Sequence, residues 1–155
     1  MPAQELTIQE IITRAIDFEQ DAYEFYINAI HMVKHQHIKD ALQDLADQEV
    51  EHKIKLQKLR DGDLDAVIPA TGKTIQDLKL AEYLVLPTLD ENATFQDILL
   101  VAMHREKSSF DFYTTMAQMT KDEATKKLFE FLAQEELKHK NKVETIYDEG
   151  VYQDF

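Results

Sequence analysis

The chain contains no cysteine and no tryptophan, and only three glycines and three prolines in 155 residues. Without cysteine there is no disulfide, no thiolate zinc site and no cysteine-ligated iron–sulfur cluster. So little Gly and Pro cannot supply the many turns of an all-β fold. No apolar run approaches the roughly 18 residues of a membrane-spanning helix. The opening Met1-Pro2-Ala3-Gln4-Glu5 has neither the basic region nor the apolar run of a secretory signal. The expectation is therefore a soluble cytoplasmic protein with no membrane partner. Positive charge is also scarce. Seventeen Lys and Arg against 30 Asp and Glu leave a formal net charge of -13, which disfavours nucleic acid and anionic membranes as partners.

What is abundant favours helices: Ala, Leu, Glu, Lys and Gln dominate. A chain of this length suits one domain, residues 1–155, with a core of its own. The informative stretch is Leu45-Ala46-Asp47-Gln48-Glu49-Val50-Glu51-His52-Lys53. It recurs 87 positions later as Leu132-Ala133-Gln134-Glu135-Glu136-Leu137-Lys138-His139-Lys140. Each copy places a Glu three residues before a His, about 300° around a helix and about 4.5 Å along it, so both side chains share one face.

That face is the apolar one. The heptad-like stripe Ile38, Leu42, Leu45, Glu49, His52, Leu56, Leu59 is interrupted only by Glu49 and His52. In the second copy, Thr125, Phe129, Leu132, Glu136, His139, Val143, Ile146 carries Glu and His at the same two places. The repeat extends further. Aligning residues 7–59 with 94–146 gives 16 identities in 53 positions, enough to pair Glu19 with Glu106 as well. Glu19 interrupts the stripe Ile8, Ile12, Ala15, Ala22, Tyr26, Ala29, Val33, and Glu106 interrupts Phe95, Leu99, Ala102, Ser109, Tyr113, Met116.

The fold expected is an all-α antiparallel four-helix bundle made of two helix pairs, residues 7–60 and 94–148. Thr7-Ile8-Gln9-Glu10, Thr94-Phe95-Gln96-Asp97 and Thr120-Lys121-Asp122-Glu123 read as capping boxes that open the first, third and fourth helices. His35-Gln36-His37 reads as the turn before the second helix, and Gly150 as the stop of the fourth. Residues 61–93, punctuated by Pro69, Gly72 and Pro87, are too many for a hairpin turn. They predict one long crossover between the second and third helices, which then run parallel. Within it, Thr74-Ile75-Gln76-Asp77 reads as the cap of a short helix through Leu84.

Four Glu and two His at mid-helix core positions converge at one level of such a bundle. Buried carboxylates need compensating charge. Two divalent ions balance four carboxylates, and an oxygen-rich set with two imidazoles suits iron or manganese. The pseudo-twofold repeat assigns Glu19 and His52 to one metal and Glu106 and His139 to the other. Glu49 and Glu136 are the bridging carboxylates and form the reacting centre with the metals. Gln48 and Glu135, each preceding a bridging Glu, are candidates to orient the imidazoles. Tyr26 and Tyr113 lie two turns beyond Glu19 and Glu106 and either hydrogen-bond near the site or serve as core aromatics. His31 and His35, spaced i, i+4 near the end of the first helix, read as residues favoured at a helix C-terminus rather than as a metal-binding pair; His37 reads as a turn residue and His104 as exposed. Asp17, Asp21, Glu24 and Asp111 read as a solvated face.

These motifs resemble the rubrerythrin-like branch of the ferritin-like superfamily. Ala46-Asp47-Gln48-Glu49-x-Glu51-His52 is similar to the second-helix motif of rubrerythrins, and Gly62-Asp63-Leu64 resembles the start of their crossover. The resemblance covers essentially the whole chain. It implies a ferritin-like bundle holding two iron ions that react with hydrogen peroxide or dioxygen, as a peroxidase or a ferroxidase. It further implies a homodimer and, since no cysteine-ligated electron-transfer module is fused here, an external rubredoxin-like electron donor. Met103 stands where typical rubrerythrins carry an additional Glu, and Val50 where bacterioferritins carry a haem-ligating Met. Two other readings stay open: an iron-binding and iron-handling protein without turnover, and a dimanganese catalase.

Overall fold

Helix formation follows the apolar stripes and stops where local chemistry stops it. The computed structural model describes residues 6–85 and 89–153. Four long helices dominate: α1 (Ile8–Ile30), α2 (Gln36–Arg60), α5 (Phe95–Met119) and α6 (Glu123–Gln153), with two short ones, α3 (Leu64–Val67) and α4 (Gly72–Asp77), between the pairs. Thr7 Oγ1 accepts the Glu10 amide at the start of α1. At α5 the capping box is complete, with Thr94 Oγ1 accepting from the Asp97 amide and Asp97 accepting from the Thr94 amide. These bonds satisfy amides that a helix start leaves open, a contribution of about 1 kcal/mol each.

The order of the helices follows from which residues meet. Tyr113 reaches Glu19 and Tyr26 reaches Glu106, so α1 and α5 are antiparallel. His52 meets Glu136 and Gln48 meets His139, so α2 and α6 are antiparallel as well. Because α1 and α2 form a hairpin, α2 and α5 run parallel, and the crossover spans the bundle's length as expected. An all-helical bundle with one long connection is the result.

The core is divided. One apolar cluster joins Ile8, Ile12, Leu56, Met116, Phe129 and Leu132, together with Leu64, Ile68, Ile75 and Leu80 of the crossover. The other joins Tyr26, Ile38, Leu42, Phe95, Leu99, Val143 and Ile146. Each buried aliphatic or aromatic side chain contributes roughly 1.5–3 kcal/mol. Together the clusters clamp the middle turns of all four helices, where the Glu and His residues lie. Among the described residues no helix is long and apolar enough to cross a membrane.

Several boundaries differ from expectation. Thr120 does not open α6. Its hydroxyl donates to the Met116 carbonyl at the end of α5, and Asp122 caps α6 by accepting from the Thr125 amide and hydroxyl. A carboxylate is an acceptor only, so Asp122 is committed to this role in a way a hydroxyl is not. Gly150 is buried and helical, and α6 continues to Gln153. A single helical Gly costs only about 1 kcal/mol against Ala, too little to end a helix held by packing.

The turn after α1 occupies residues 31–35: His31 ends α1, but His35 stands at the N-cap of α2 rather than at the C-terminus of α1 and makes no side-chain cap bond, so Gln36 and His37 are already helical. In the crossover, Thr71 rather than Thr74 caps α4. The helix does not reach Leu84, because Lys79 takes a left-handed φ of 54° before a 3₁₀ segment, Leu80–Leu84. That kink delivers Leu80 into the first apolar cluster. Pro87, expected to punctuate the crossover, lies outside the described residues.

Candidate metal centre

Glu19, Glu49, His52, Glu106, Glu136 and His139 are each no more than 2% exposed. They form two overlapping groups: Glu19, Glu49, His52 and Glu136, then Glu49, Glu106, Glu136 and His139. One oxygen or nitrogen from each member lies within 4.8 Å of the others in its group. Glu49 and Glu136 belong to both groups, the geometry expected of shared carboxylates. All six residues singled out by the repeat are brought together.

Both imidazoles turn Nδ1 inward. His52 Nδ1 is 2.8 Å from Glu136 Oε1 and 3.8 Å from Glu19 Oε2. His139 Nδ1 is 2.6 Å from Glu49 Oε1 and 3.7 Å from Glu106 Oε2. The two rings stack with centroids 5.4 Å apart. Each imidazole therefore faces a carboxylate of its own half and one from the other, so the halves interlock.

Hydrogen bonds from outside the cluster hold its outer carboxylates. The Tyr113 hydroxyl donates to Glu19 Oε1 at 2.5 Å, and the Tyr26 hydroxyl donates to Glu106 Oε1 at 2.6 Å. Both tyrosines thus bond to ligand candidates rather than serving as plain core aromatics, and each reaches the Glu of the opposite half. His139 Nε2 lies 2.7 Å from Gln48 Oε1. An amide carbonyl only accepts, so Nε2 carries the proton and Nδ1 is the nitrogen left to bind a cation. The matching expectation for Glu135 is not met. Among the described residues it makes no hydrogen bond to His52, and it sits 3.8 Å from Lys138 instead.

The electrostatics are those of too many carboxylates in too little water. Burial pushes Glu49 well above the usual carboxyl range, reinforced by the charges of Glu19 and Glu106. Burial and the charges of Glu106, Glu19 and Glu49 do the same to Glu136. Burial also opposes ionisation of Glu19. Hydrogen bonding with the Glu49 carboxyl, the His52 imidazole 3.8 Å away and the Tyr113 hydroxyl outweigh it and bring Glu19 to about 2. Glu106 is lowered against burial by Glu136, His139 and Tyr26. Burial works against a charged His139, but Glu106 and the other carboxylates raise it. Without metal, the cluster therefore pairs two ionised outer carboxylates with two protonated inner ones.

This donor set fits a pair of cations. With the carboxylates ionised, as cation binding requires, Glu19 Oε2, Glu49 Oε1, Glu106 Oε2 and His139 Nδ1 are buried without a hydrogen-bond partner. His139 Nδ1 is close to Glu49 Oε1 but lacks the alignment of a hydrogen bond. Unpartnered buried polar atoms are costly, and cations would satisfy them.

The other polar expectations are mixed. His104, Asp17, Asp21 and Glu24 are exposed, whereas Asp111 is half-buried. Asp111 also pairs with Lys107 at 3.0 Å. His37 pairs with Glu149 at 3.1 Å instead of resting in a turn. Met103 is half-buried against the second apolar cluster and brings no further carboxylate. Arg105, which follows no stripe, is buried beside Glu106 and was not foreseen.

Comparisons with known proteins agree with this picture. The family model described as rubrerythrin matches residues 73–153, more than half of the chain, taking in the later part of the crossover and the whole second helix pair. A hypothetical protein from Pyrococcus furiosus superimposes with a TM-score of 0.73 at 23% identity, covering 99% of this chain and 96% of that one. A Thermotoga maritima protein described as a ferritin-like diiron-carboxylate protein gives a TM-score of 0.72 at 21% identity, over 95% of this chain and 98% of that one. At such identities these two likenesses establish the fold. No curated protein matches the chain.

Proposed function

Since the chain belongs to the rubrerythrin family, we propose that its buried cluster holds two iron ions and that the protein is a non-haem di-iron oxidoreductase acting on hydrogen peroxide or dioxygen. The observation that carries this reading is the pair of overlapping four-residue groups sharing Glu49 and Glu136. Glu19 and His52 would complete one metal position, Glu106 and His139 the other. The Thermotoga maritima relative's description as a diiron-carboxylate protein supports the same choice of metal. When bound, the iron pair supplies the two electrons that reduce the oxidant, and an external one-electron donor protein restores them.

The chain's own residues prepare the site. Tyr26 and Tyr113 hold the outer carboxylates of Glu106 and Glu19 by their hydroxyls. Gln48 fixes the His139 ring with Nδ1 inward. Glu49 and Glu136 hold the inner protons of the metal-free cluster, which cations displace on binding. The apolar clusters above and below keep water out, so the site's electrostatic interactions are weakly screened.

The deciding experiment is an anaerobic Fe(II) titration of metal-free protein, followed by separate exposure to dioxygen and to peroxide. Saturation at two irons per chain with faster oxidation by peroxide establishes peroxide reduction. Faster oxidation by dioxygen indicates a ferroxidase. Two bound irons that fail to cycle with a reductant indicate an iron-handling protein, and failure to bind iron stoichiometrically refutes the di-iron reading.

A further inference from the structure

Among the described residues Arg105 is the only buried lysine or arginine, 4% exposed. It immediately precedes Glu106 on α5. Its guanidinium Nη2 donates to the Phe18 carbonyl at 3.2 Å, and Phe18 immediately precedes Glu19 on α1. The guanidinium carbon lies 4.8 Å from the centre of the Phe18 ring and 5.0 Å from that of Phe25. No carboxylate lies within ion-pair distance of it among the described residues. A buried cation without a direct counter-charge is costly, and two aromatic faces offset only part of that cost. Through its chain neighbour Glu106 and the Phe18 carbonyl next to Glu19 it joins two carboxylate-bearing turns of the cluster, whose field supplies the remaining compensation.

The repeat sharpens the point. At the offset of 87 residues, Arg105 is the counterpart of Phe18 itself. The two halves, alike in their six Glu and His, differ where these residues touch. One half supplies the cation and the other the aromatic ring and carbonyl that receive it, so the symmetric centre has a fixed positive charge on one side only.

We propose that Arg105 is a positioning residue with an electrostatic function. It ties the ligand-bearing turns of α1 and α5 together and opposes the accumulation of positive charge in the metal centre. In an iron-loaded centre two ferric ions take up two electrons from an external donor to become two ferrous ions. A fixed positive charge favours that less charged ferrous state, so Arg105 raises the potential of the centre. For the same reason it weakens the binding of divalent cations. This inference rests on the di-iron reading above.

Two substitutions separate charge from packing. Arg105→Met keeps a long apolar stem and removes the charge; Arg105→Lys keeps the charge and loses the planar stacking. The probes are calorimetric titration with Zn(II), which is redox-inert, and a mediated redox titration of the iron-loaded protein. Wild-type protein should bind two Zn(II). Arg105→Met should bind both about tenfold more tightly, and its iron centre should fall by about 59 mV per one-electron step, the equivalent of tenfold. Arg105→Lys should stay close to wild type in both while melting at a lower temperature. If Arg105→Met fails to fold, Arg105→Gln set against Arg105→Lys gives the same contrast. A neutral variant that melts lower but matches wild type in Zn(II) affinity and potential would show a packing role alone and overturn the proposal. A wild-type protein that binds neither Zn(II) nor Fe(II) would overturn the di-iron reading, and this one with it.

Discussion

Glu49→Leu should make the metal-free protein more stable and the metal-exposed protein less stable than wild type. In the metal-free cluster burial and the charges of Glu19 and Glu106 keep Glu49 protonated, its proton shared with Glu19. Leucine fills a similar volume, and burying it contributes roughly 1.5–3 kcal/mol. The hydrogen bonding it removes offsets roughly 0.5–1.5 kcal/mol. The partners keep alternatives, since Glu19 still accepts from Tyr113 and His139 still faces Glu106 at 3.7 Å. The net gain is about 1–2 kcal/mol, consistent with the 1–4 kcal/mol often found when buried ionic groups become apolar. For a domain of this size that is about 2–8 °C in Tm. Excess metal at 100 times Kd would add about 2.7 kcal/mol per occupied site to wild type and nothing to a variant lacking a shared carboxylate. Differential scanning calorimetry with and without Zn(II) under anaerobic conditions should therefore show the two proteins exchanging order. A metal-free variant melting well below wild type, or one that still gains stability from metal, would refute the carboxylate-crowding argument.

Three further outcomes are expected. Lowering the pH from about 7.5 to about 5.5 should raise the Tm of the metal-free protein, because the folded state retains protons on Glu49, Glu136 and His139 that the unfolded chain releases above its ordinary values of 4.5 and 6.5. The opposite contribution of Glu19 is lost only nearer its value of about 2, and the metal-loaded Tm should fall over the same range as ligands take up protons; thermal melts at both pH values check each sign. Gln48→Leu should weaken metal binding about 10- to 100-fold by freeing the His139 ring, measurable by competition with a chelator. Thr94→Ala, which removes one half of the complete capping box, should cost about 1 kcal/mol, read as a Tm lower by about 2–4 °C with unchanged metal stoichiometry.

The contrast between Gln48 and Glu135 shows where sequence reading stops. Both precede a shared Glu in equivalent copies of one motif, so the repeat offers them equally. Their roles depend on what stands opposite across the bundle, and only Gln48 meets an imidazole. The tyrosines show the same limit. Their stripe positions bring them near the centre, but that each bonds to the Glu of the opposite half depends on the antiparallel contact of α1 with α5. Boundaries set by short-range competition were less legible. Thr120 and Asp122 both qualify as caps, and the choice fell to the acceptor that could bind both the Thr125 amide and its hydroxyl.

By itself the sequence determined the four long helices, the crossover and the convergence of Glu19, Glu49, His52, Glu106, Glu136 and His139. All of these follow from periodicity along a helix, which is a local property, and from an internal repeat. Only the tertiary structure decided which carboxylate each imidazole faces, which amide steadies His139, and that Arg105 is buried between Phe18 and Phe25. A charged residue off the apolar stripe reads as solvated until the rings that cover it are in place. Those rings belong to another helix, and their position relative to Arg105 is fixed by packing between helices rather than by spacing within one.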